Sequence, residues 1–534
     1  MLKKLMLGLT FILFITFLLS ACVSQPPEET GGDSNSDVSN GSNETSNKDA
    51  LIIAYDRDAE TLDHLVTSDY HNALIYIFDR LVTRDSDFNY HPSLAEKWEV
   101  SEDGLTWKFY LKENIKFHDG SELTAHDVKW TLDTIKDPET GSPAQNDFEP
   151  LTEIVVEDDH TVVIKLENPF PNMLFRLSST PAGIMSKDSY NKYGDEYGSK
   201  YAIGTGPYKL KEWNQGDKIV LEKNPEYDWG PEFMENNGVP QIEEIVMKII
   251  PEENLRLMEL EVGNVHIVRD LTPTMVETIE DNDEIEIFTG GAPRLGYLAY
   301  ATDKEPFNDV RVRQAINHAI NKQEIVDHVF RGYAEVAHGY LPPILAEEYY
   351  TDSEKDGYDY DVEKAKSLLK EAGYDDGLKF TLSAENASNY GRIAEVLQAQ
   401  LREIGIETEI QMFESSSYSD MLQEGNQELF LRMYGWQNSD ILDWFLNSKQ
   451  IPFPNHSRWQ NKKTDEMLME AERVPTWEER VEKYHEIQKY LIDHAVWAPI
   501  YIPSNSIAVR KEVENFKYDP IAPKYQDGVK LKTN

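Results

Sequence analysis

One cysteine occurs in the 534 residues, Cys22, and its place constrains everything after it. Lys3 and Lys4 precede a run of mostly Leu, Phe and Ile from Leu5 to Leu19, which leads into Ser20-Ala21-Cys22. A charged start, an apolar stretch and a small-residue junction form the pattern of a segment removed on export. At ~15 residues the run is short for a membrane span. The chain beyond it must fold without disulfides, thiolate-bound metal or a thiol nucleophile, so its stability has to come from apolar burial.

The composition changes at once after Cys22. Residues 23–50 are almost entirely Ser, Asn, Gly, Asp, Glu, Thr and Pro, too poor in apolar surface to fold. They read as a tether with a reach of roughly 30 Å. From Leu51 onward the chain is globular in character, and about 480 residues exceed one ordinary core, so two or three domains are expected. No second stretch approaches 18 consecutive apolar residues. The formal net charge of −44 makes nucleic acid a poor partner, because phosphate binding needs clustered Lys and Arg. Solubility or adaptation to salt or pH accounts for such acidity as readily as any ligand.

Periodicity predicts a strand at Leu51–Tyr55, a helix-like segment at Asn72–Leu81 and strands at Thr106–Leu111 and Val162–Leu166. A hairpin is expected from Pro207–Trp213 and Lys218–Glu222 around the turn Asn214-Gln215-Gly216-Asp217. Strands are also read at Ile242–Ile250 and His266–Val268. The second half alternates differently. Helices are predicted at Val310–Ile320 behind an Asp309 cap, at Val362–Ala372 before Gly373, and at Arg392–Ile404 before Gly405 and the strand Ile406–Met412. That is αβ-unit logic. Strands return at Trp497–Ile502 and Ile507–Arg510.

Catalytic patterns are missing. There is no His-Glu-x-x-His, Gly-x-Ser-x-Gly or Gly-x-Gly-x-x-Gly, and the 13 histidines are scattered. Gly204-Thr205-Gly206-Pro207 lacks the Gly-Lys-Ser/Thr ending of a phosphate loop, and Pro207 removes a needed N–H. Asp85, Asp87, Asn89, Ser93 and Glu96 take positions 1, 3, 5, 9 and 12 of a calcium loop, but Tyr90 stands where the sharp turn needs Gly. A surface turn is the better reading, so neither metal nor cofactor is expected.

Two resemblances give this pattern a direction. Leu18-Leu19-Ser20-Ala21-Cys22 resembles the lipobox of bacterial lipoproteins, which implies cleavage before a lipidated Cys22 and attachment to the outer face of the cell membrane. The stretch His91–Trp130 strongly resembles the signature of the family 5 extracellular solute-binding proteins of ABC importers. Leu62-Asp63-His64, Ile203-Gly204-Thr205-Gly206-Pro207-Tyr208, the run Pro306–Ala315 and Gly435-Trp436 match further family motifs in order, although the Pro of the family's Leu-Asp-Pro-His is missing.

The resemblance implies an α/β, two-lobed periplasmic-binding-protein-like fold with an additional third domain, and no enzymatic activity. Residues 1–21 would be the signal peptide and 22–50 the lipidated cysteine and tether. The first lobe would be discontinuous, 51–79 plus 201–270 plus 496–534. The extra domain would cover 80–200 and the other lobe 271–495. A peptide held between closing lobes and passed to the permease subunits is the implied function of a monomer.

In peptide-binding members a Gly-Trp strand pairs with the ligand backbone, and an Asp just beyond holds its α-ammonium. Here that region reads Tyr434-Gly435-Trp436-Gln437-Asn438-Ser439-Asp440-Ile441-Leu442-Asp443. Asp440 is the first choice for the ammonium and Asp443 the second. Gly435, Trp436, Gln437 and Tyr434 are expected beside the ligand, with Ser68 and Tyr70 facing it from the first lobe. Ala384 stands where dipeptide binders carry a carboxylate-holding Arg, and Arg392, Arg294 and Arg432 are possible substitutes. The alternatives are another solute (an oligosaccharide, a glutathione-like compound or a nickel chelate) and, from a different class, a secreted hydrolase.

Overall fold

Strand pairing shows how the two parts of the chain are joined. The computed structural model describes residues 49–346, 357–387, 389–436, 438–474, 476–520 and 523–532. Cys22, the export segment, the tether up to residue 48 and Gln437 lie outside the described residues. The first described strand is Ala50–Tyr55, so it includes one residue of the expected tether.

A twelve-stranded sheet is built on one long strand, Trp497–Arg510. Its first part pairs with Arg294–Tyr300 and Ala334–Val336, and its second part with Ile285–Gly291 and Ile267–Val268. Beyond Ile267–Val268 lie Ala50–Tyr55 and Glu244–Ile249, parallel to each other, and then the predicted hairpin, Tyr208–Asn214 with Lys218–Lys223. On the other side lie Leu429–Gly435, Leu378–Glu385 and Ile406–Phe413. The two strands expected near the end of the chain are thus one. Ser504, Asn505 and Ser506 interrupt the apolar alternation, yet all three pair with Thr289–Gly291.

The hydrophobic cores divide at the same place. Two clusters draw all their buried members from between Leu295 and Ile502. The remaining two draw theirs from Leu51–Ile285 and Ile507–Val529. The boundaries expected at 271 and 496 therefore sit differently in the packing. Helix Pro273–Ile279 and strand Ile285–Gly291 pack with the first part, and Trp497–Ile502 with the second. The chain passes between the parts through two adjacent antiparallel strands, where Gly291 faces Ser504 and Ala292 donates to Pro503 O at 3.2 Å.

Within the expected extra domain, a four-stranded antiparallel sheet runs Ala95–Val100, Thr106–Leu111, Thr161–Leu166, Leu151–Asp158. Helix Ala125–Lys136, closed by a Thr124–Asp127 capping box, covers it. Its apolar residues belong to the same cluster as Leu51, Ile219 and Ile245, so it shares a core with the first lobe's strands.

Local chemistry explains several motifs. Gly373 ends helix Val362–Ala372 at φ 91°, and Asp309 accepts from Arg311 N at the start of Val310–Ala319. The Gly204-Thr205-Gly206 loop lies against the helix Ala73–Ile77: Gly206 N donates to Ile77 O at 2.9 Å, and a side chain on Gly204 or Gly206 would strike backbone carbonyls of that helix. The loop is a packing device. Asp85 spends its carboxylate on a turn, accepting from the backbone of Asp87 and Asn89, from Asn89 Nδ2, and from His91 Nε2 at 2.7 Å. Among the described residues no group of three or more His, Cys, Asp or Glu could hold a metal ion, and no helix is long and apolar enough to cross a membrane.

Candidate functional site

Strand Leu429–Gly435 carries the site to the junction of the two parts. Alternation sends Leu429 and Leu431 into one core cluster and Phe430 and Tyr434 into another. Tyr434 is 3% exposed, donates to Tyr340 O and packs near Tyr297, Phe445 and Trp497, so its ring is core and presents no face to a ligand. This corrects the expectation for Tyr434: strand parity turns it away. Gly435 is exposed and pairs with Arg294, and Trp436 N donates to Pro293 O at 3.0 Å.

After Trp436 the chain turns. Asn438 Oδ1 accepts from Asp440 N and Ser439 Oγ, fixing the entry to helix Ile441–Leu446. Asp440, 2% exposed, accepts from Trp436 Nε1 at 2.7 Å and from Arg176 Nη2 at 2.6 Å. Arg176 comes from the other part of the molecule, on helix Met173–Ser178. Its Nη1 reaches Asp147 Oδ1 at 3.0 Å. Beside this pair Asn438 Nδ2 donates to Asn172 Oδ1 at 3.1 Å. Two polar bridges, both buried, thus clasp the first part to the second.

The electrostatics are unbalanced. Two carboxylates face one guanidinium, leaving one negative charge in excess. Burial raises the Asp147 carboxyl above its ordinary range, Arg176 opposes this, and Asp440 adds to it. Tyr70, half-buried, feels Asp147 as well, and burial followed by that charge pushes its hydroxyl up to about 12. The cluster contains no nucleophile paired with a base. It can hold a cation, and it offers an indole N–H and a phenol beside it.

The structure therefore brings together Asp440, Trp436 and Tyr70. Ser68 is exposed in the loop leading to Tyr70. Asp443 is buried but engaged elsewhere, accepting from Asn447 Nδ2 at 2.7 Å with Lys449 at 3.5 Å. It lies toward Glu472, whose carboxyl is pushed up to about 7 by burial and then by the Asp443 charge. Ala384 is fully buried in its strand, and Arg392 and Arg294 are exposed. Arg432 is half-buried, and its charge acts on Tyr297, Tyr390 and Tyr418. Asp147, Asn172, Arg176 and Asn438 escaped the sequence reading. A signal existed for Arg176 alone: one cation in the apolar segment Met-Leu-Phe-Arg-Leu must find a buried partner.

A mixed α/β fold of several domains is that of solved solute-binding proteins. Within that class the chain belongs to the bacterial extracellular solute-binding proteins of family 5, whose model matches residues 89–451. This is a family of receptors of ABC importers rather than of enzymes. A glutathione-binding protein, GsiB of Escherichia coli K12, is 29% identical over 479 residues, covering 87% of this chain and 91% of its own. HbpA2 of Haemophilus parasuis superposes with a TM-score of 0.81 at 25% identity, covering 91% of this chain and all of its own. The DppA protein of Helicobacter pylori, solved with the peptide STSA, superposes with a TM-score of 0.74 at 26% identity, covering 91% and 98%.

Proposed function

We propose that this protein is a lipid-anchored receptor that captures short peptides by their α-ammonium and delivers them to its membrane permease. Asp440 is the ammonium partner. The observation that carries the reading is the excess negative charge of Asp147 and Asp440 around Arg176, buried where the two parts meet. A ligand ammonium takes the place at Asp440 Oδ2 that the Arg176 guanidinium fills, and Arg176 keeps Asp147. Burying an ammonium is costly unless it is paired, so this carboxylate selects for it.

The strand supplies the second element. Leu378–Glu385 pairs with Leu429–Gly435 only at Leu429 and Phe430, so no strand covers the second edge of Arg432–Gly435 among the described residues. An extended peptide can add there by main-chain hydrogen bonds, which read no side chain. The two halves close about the ribbon at Gly291–Pro293 and Ile502–Ser504. Cys22, lipidated, holds the whole to the outer face of the membrane. Glutathione satisfies the same ammonium requirement, and the GsiB relatives named for it make it a ligand to include.

Removing one member of a desolvated charge pair costs ~2–5 kcal/mol, so Asp440→Ala weakens peptide binding on the order of 30-fold or more. Asp443→Ala has a smaller effect, because Asp443 is engaged with Asn447. Calorimetry with a tripeptide, its N-acetyl form and glutathione is the test. Equal affinity for the free and acetylated peptide would refute the ammonium mechanism.

A further inference from the structure

A cavity of about 100 Å³ lies between the first lobe's strands and the expected extra domain. That is room for a group of several non-hydrogen atoms. Three cations line it, Arg80, Arg84 and Lys524, together with the hydroxyls of Thr83, Ser93 and Thr180. Only two carboxylates face them. Asp519, 4% exposed, is paired with Lys524. Asp79 turns its Oδ2 to Thr205 Oγ1 and Trp229 Nε1, each at 3.1 Å; burial pushes its carboxyl up, and the charge of Arg80 opposes this.

Arg80 is the informative member. Among the described residues its guanidinium makes one hydrogen bond, from Nη1 to Phe78 O at 3.3 Å. Its Nε is buried without an acceptor. Asp79 lies close enough for its charge to act on Arg80, but a guanidinium carries five N–H donors, and a buried Nε without an acceptor is costly. Arg84, 8% exposed, feels the Asp519 charge and lies near the faces of Phe88 and Phe175, its guanidinium carbon 5.5 and 5.0 Å from the ring centres. In a chain of net charge −44, this local positive excess stands out.

We infer that the cavity is an oxyanion-binding site, which takes a carboxylate or a phosphate-type group against Arg80 with Arg84 and Lys524 completing the charge. Two sources share this chemistry: a free inorganic anion, and the carboxylate end of the solute. Position makes the second a real alternative. The Arg176 guanidinium carbon lies 5.2 Å from the same Phe175 ring that Arg84 covers, so the two guanidiniums are within about 10 Å of each other. That is the span of roughly three extended residues. The anion site itself does not depend on the peptide reading, but the second source does.

The test uses the whole protein and its Arg80→Gln and Arg80→Lys variants. Thermal unfolding is followed in inorganic phosphate against chloride at matched ionic strength. Calorimetry compares the peptide STSA with its C-terminal amide, with and without phosphate. Phosphate should raise the wild-type midpoint. Arg80→Gln should weaken phosphate on the order of tenfold or more, and Arg80→Lys should retain part of the effect, as expected for losing hydrogen bonds to a charged group. Preference for the acid over the amide, with phosphate competing, assigns the site to the solute's carboxylate. Phosphate stabilisation with equal binding of acid and amide assigns it to a free anion. If STSA fails to bind while phosphate still stabilises, the peptide reading falls and the anion site stands. No phosphate effect on the wild type together with no acid–amide difference overturns the inference, whether or not the variants fold.

Discussion

Arg176→Met is the most searching perturbation of the clasp. The Arg176 side chain is 9% exposed and Asp440 3%. At an effective dielectric of 20, two charges ~4 Å apart attract by about 4 kcal/mol. Removing Arg176 leaves Asp440 with the Trp436 indole as its donor and with Asp147 as a like-charged neighbour. One-sided loss of a buried pair costs about 3–5 kcal/mol. Asp440→Asn is milder, because Arg176 keeps Asp147. The molecule can answer either by losing stability or by swinging its halves apart to hydrate the orphaned carboxylate. The observed cost is the smaller of the two, so both need measuring. A double-mutant cycle of Arg176→Met, Asp440→Asn and the pair, read by denaturant midpoint and by small-angle scattering, does this. The single Arg176 variant should lose at least ~2 kcal/mol or expand, and the double variant should recover most of the deficit. Additive losses, with a coupling below ~0.5 kcal/mol, would refute the clasp.

Three further outcomes are expected. Glu472, raised from an ordinary 4.5 to about 7, is surrounded by Asp443, Asp440, Arg480 and Lys449. The folded state holds its proton more tightly than the unfolded state, so wild-type stability falls between pH 4.5 and 7; Glu472→Gln should match wild type below that window and exceed it above pH 7 by up to about 3 kcal/mol, checked by denaturant melts across pH. Gly206→Ala pushes a methyl into the backbone of helix Ala73–Ile77 and should cost ~1–3 kcal/mol, measured as a lowered midpoint, whereas Gly216→Ala, with nothing near it but a φ of +77°, tests backbone strain alone. Cys22→Ala should be released from membranes or left unprocessed on cell fractionation, and unchanged processing and attachment would remove the anchor.

Much of the fold was legible because local rules suffice for it. The helix Val362–Ala372 and the hairpin around Gly216 needed only periodicity, a cap and a turn. The long strand Trp497–Arg510 reads as two because its middle is Ser-Asn-Ser, and the ladder to Thr289–Gly291 that holds those residues joins positions more than 200 apart. The site divides along the same line. Asp440 and Trp436 stand in a motif, but Arg176 sits 264 residues away in a segment that reads as plain core. Tyr434 shows the limit of a motif: its place in the string is right for a ligand contact, and the parity of its strand points it into the interior.

The ribbon that joins the halves has a consequence for how such a molecule can be taken apart. The chain enters the second half once, after Gly291, and leaves it once, before Ser504, and those two residues face each other across the ladder. The second half is therefore a single uninterrupted insertion into a hairpin of the first. A two-residue turn placed between Gly291 and Ser504 would close that hairpin in its existing register. What remained would keep every fully buried member of its two apolar clusters and lose only the partly buried Tyr333 packed against one of them. By this topology the two halves are separable modules, one the host and the other a guest whose ends lie side by side.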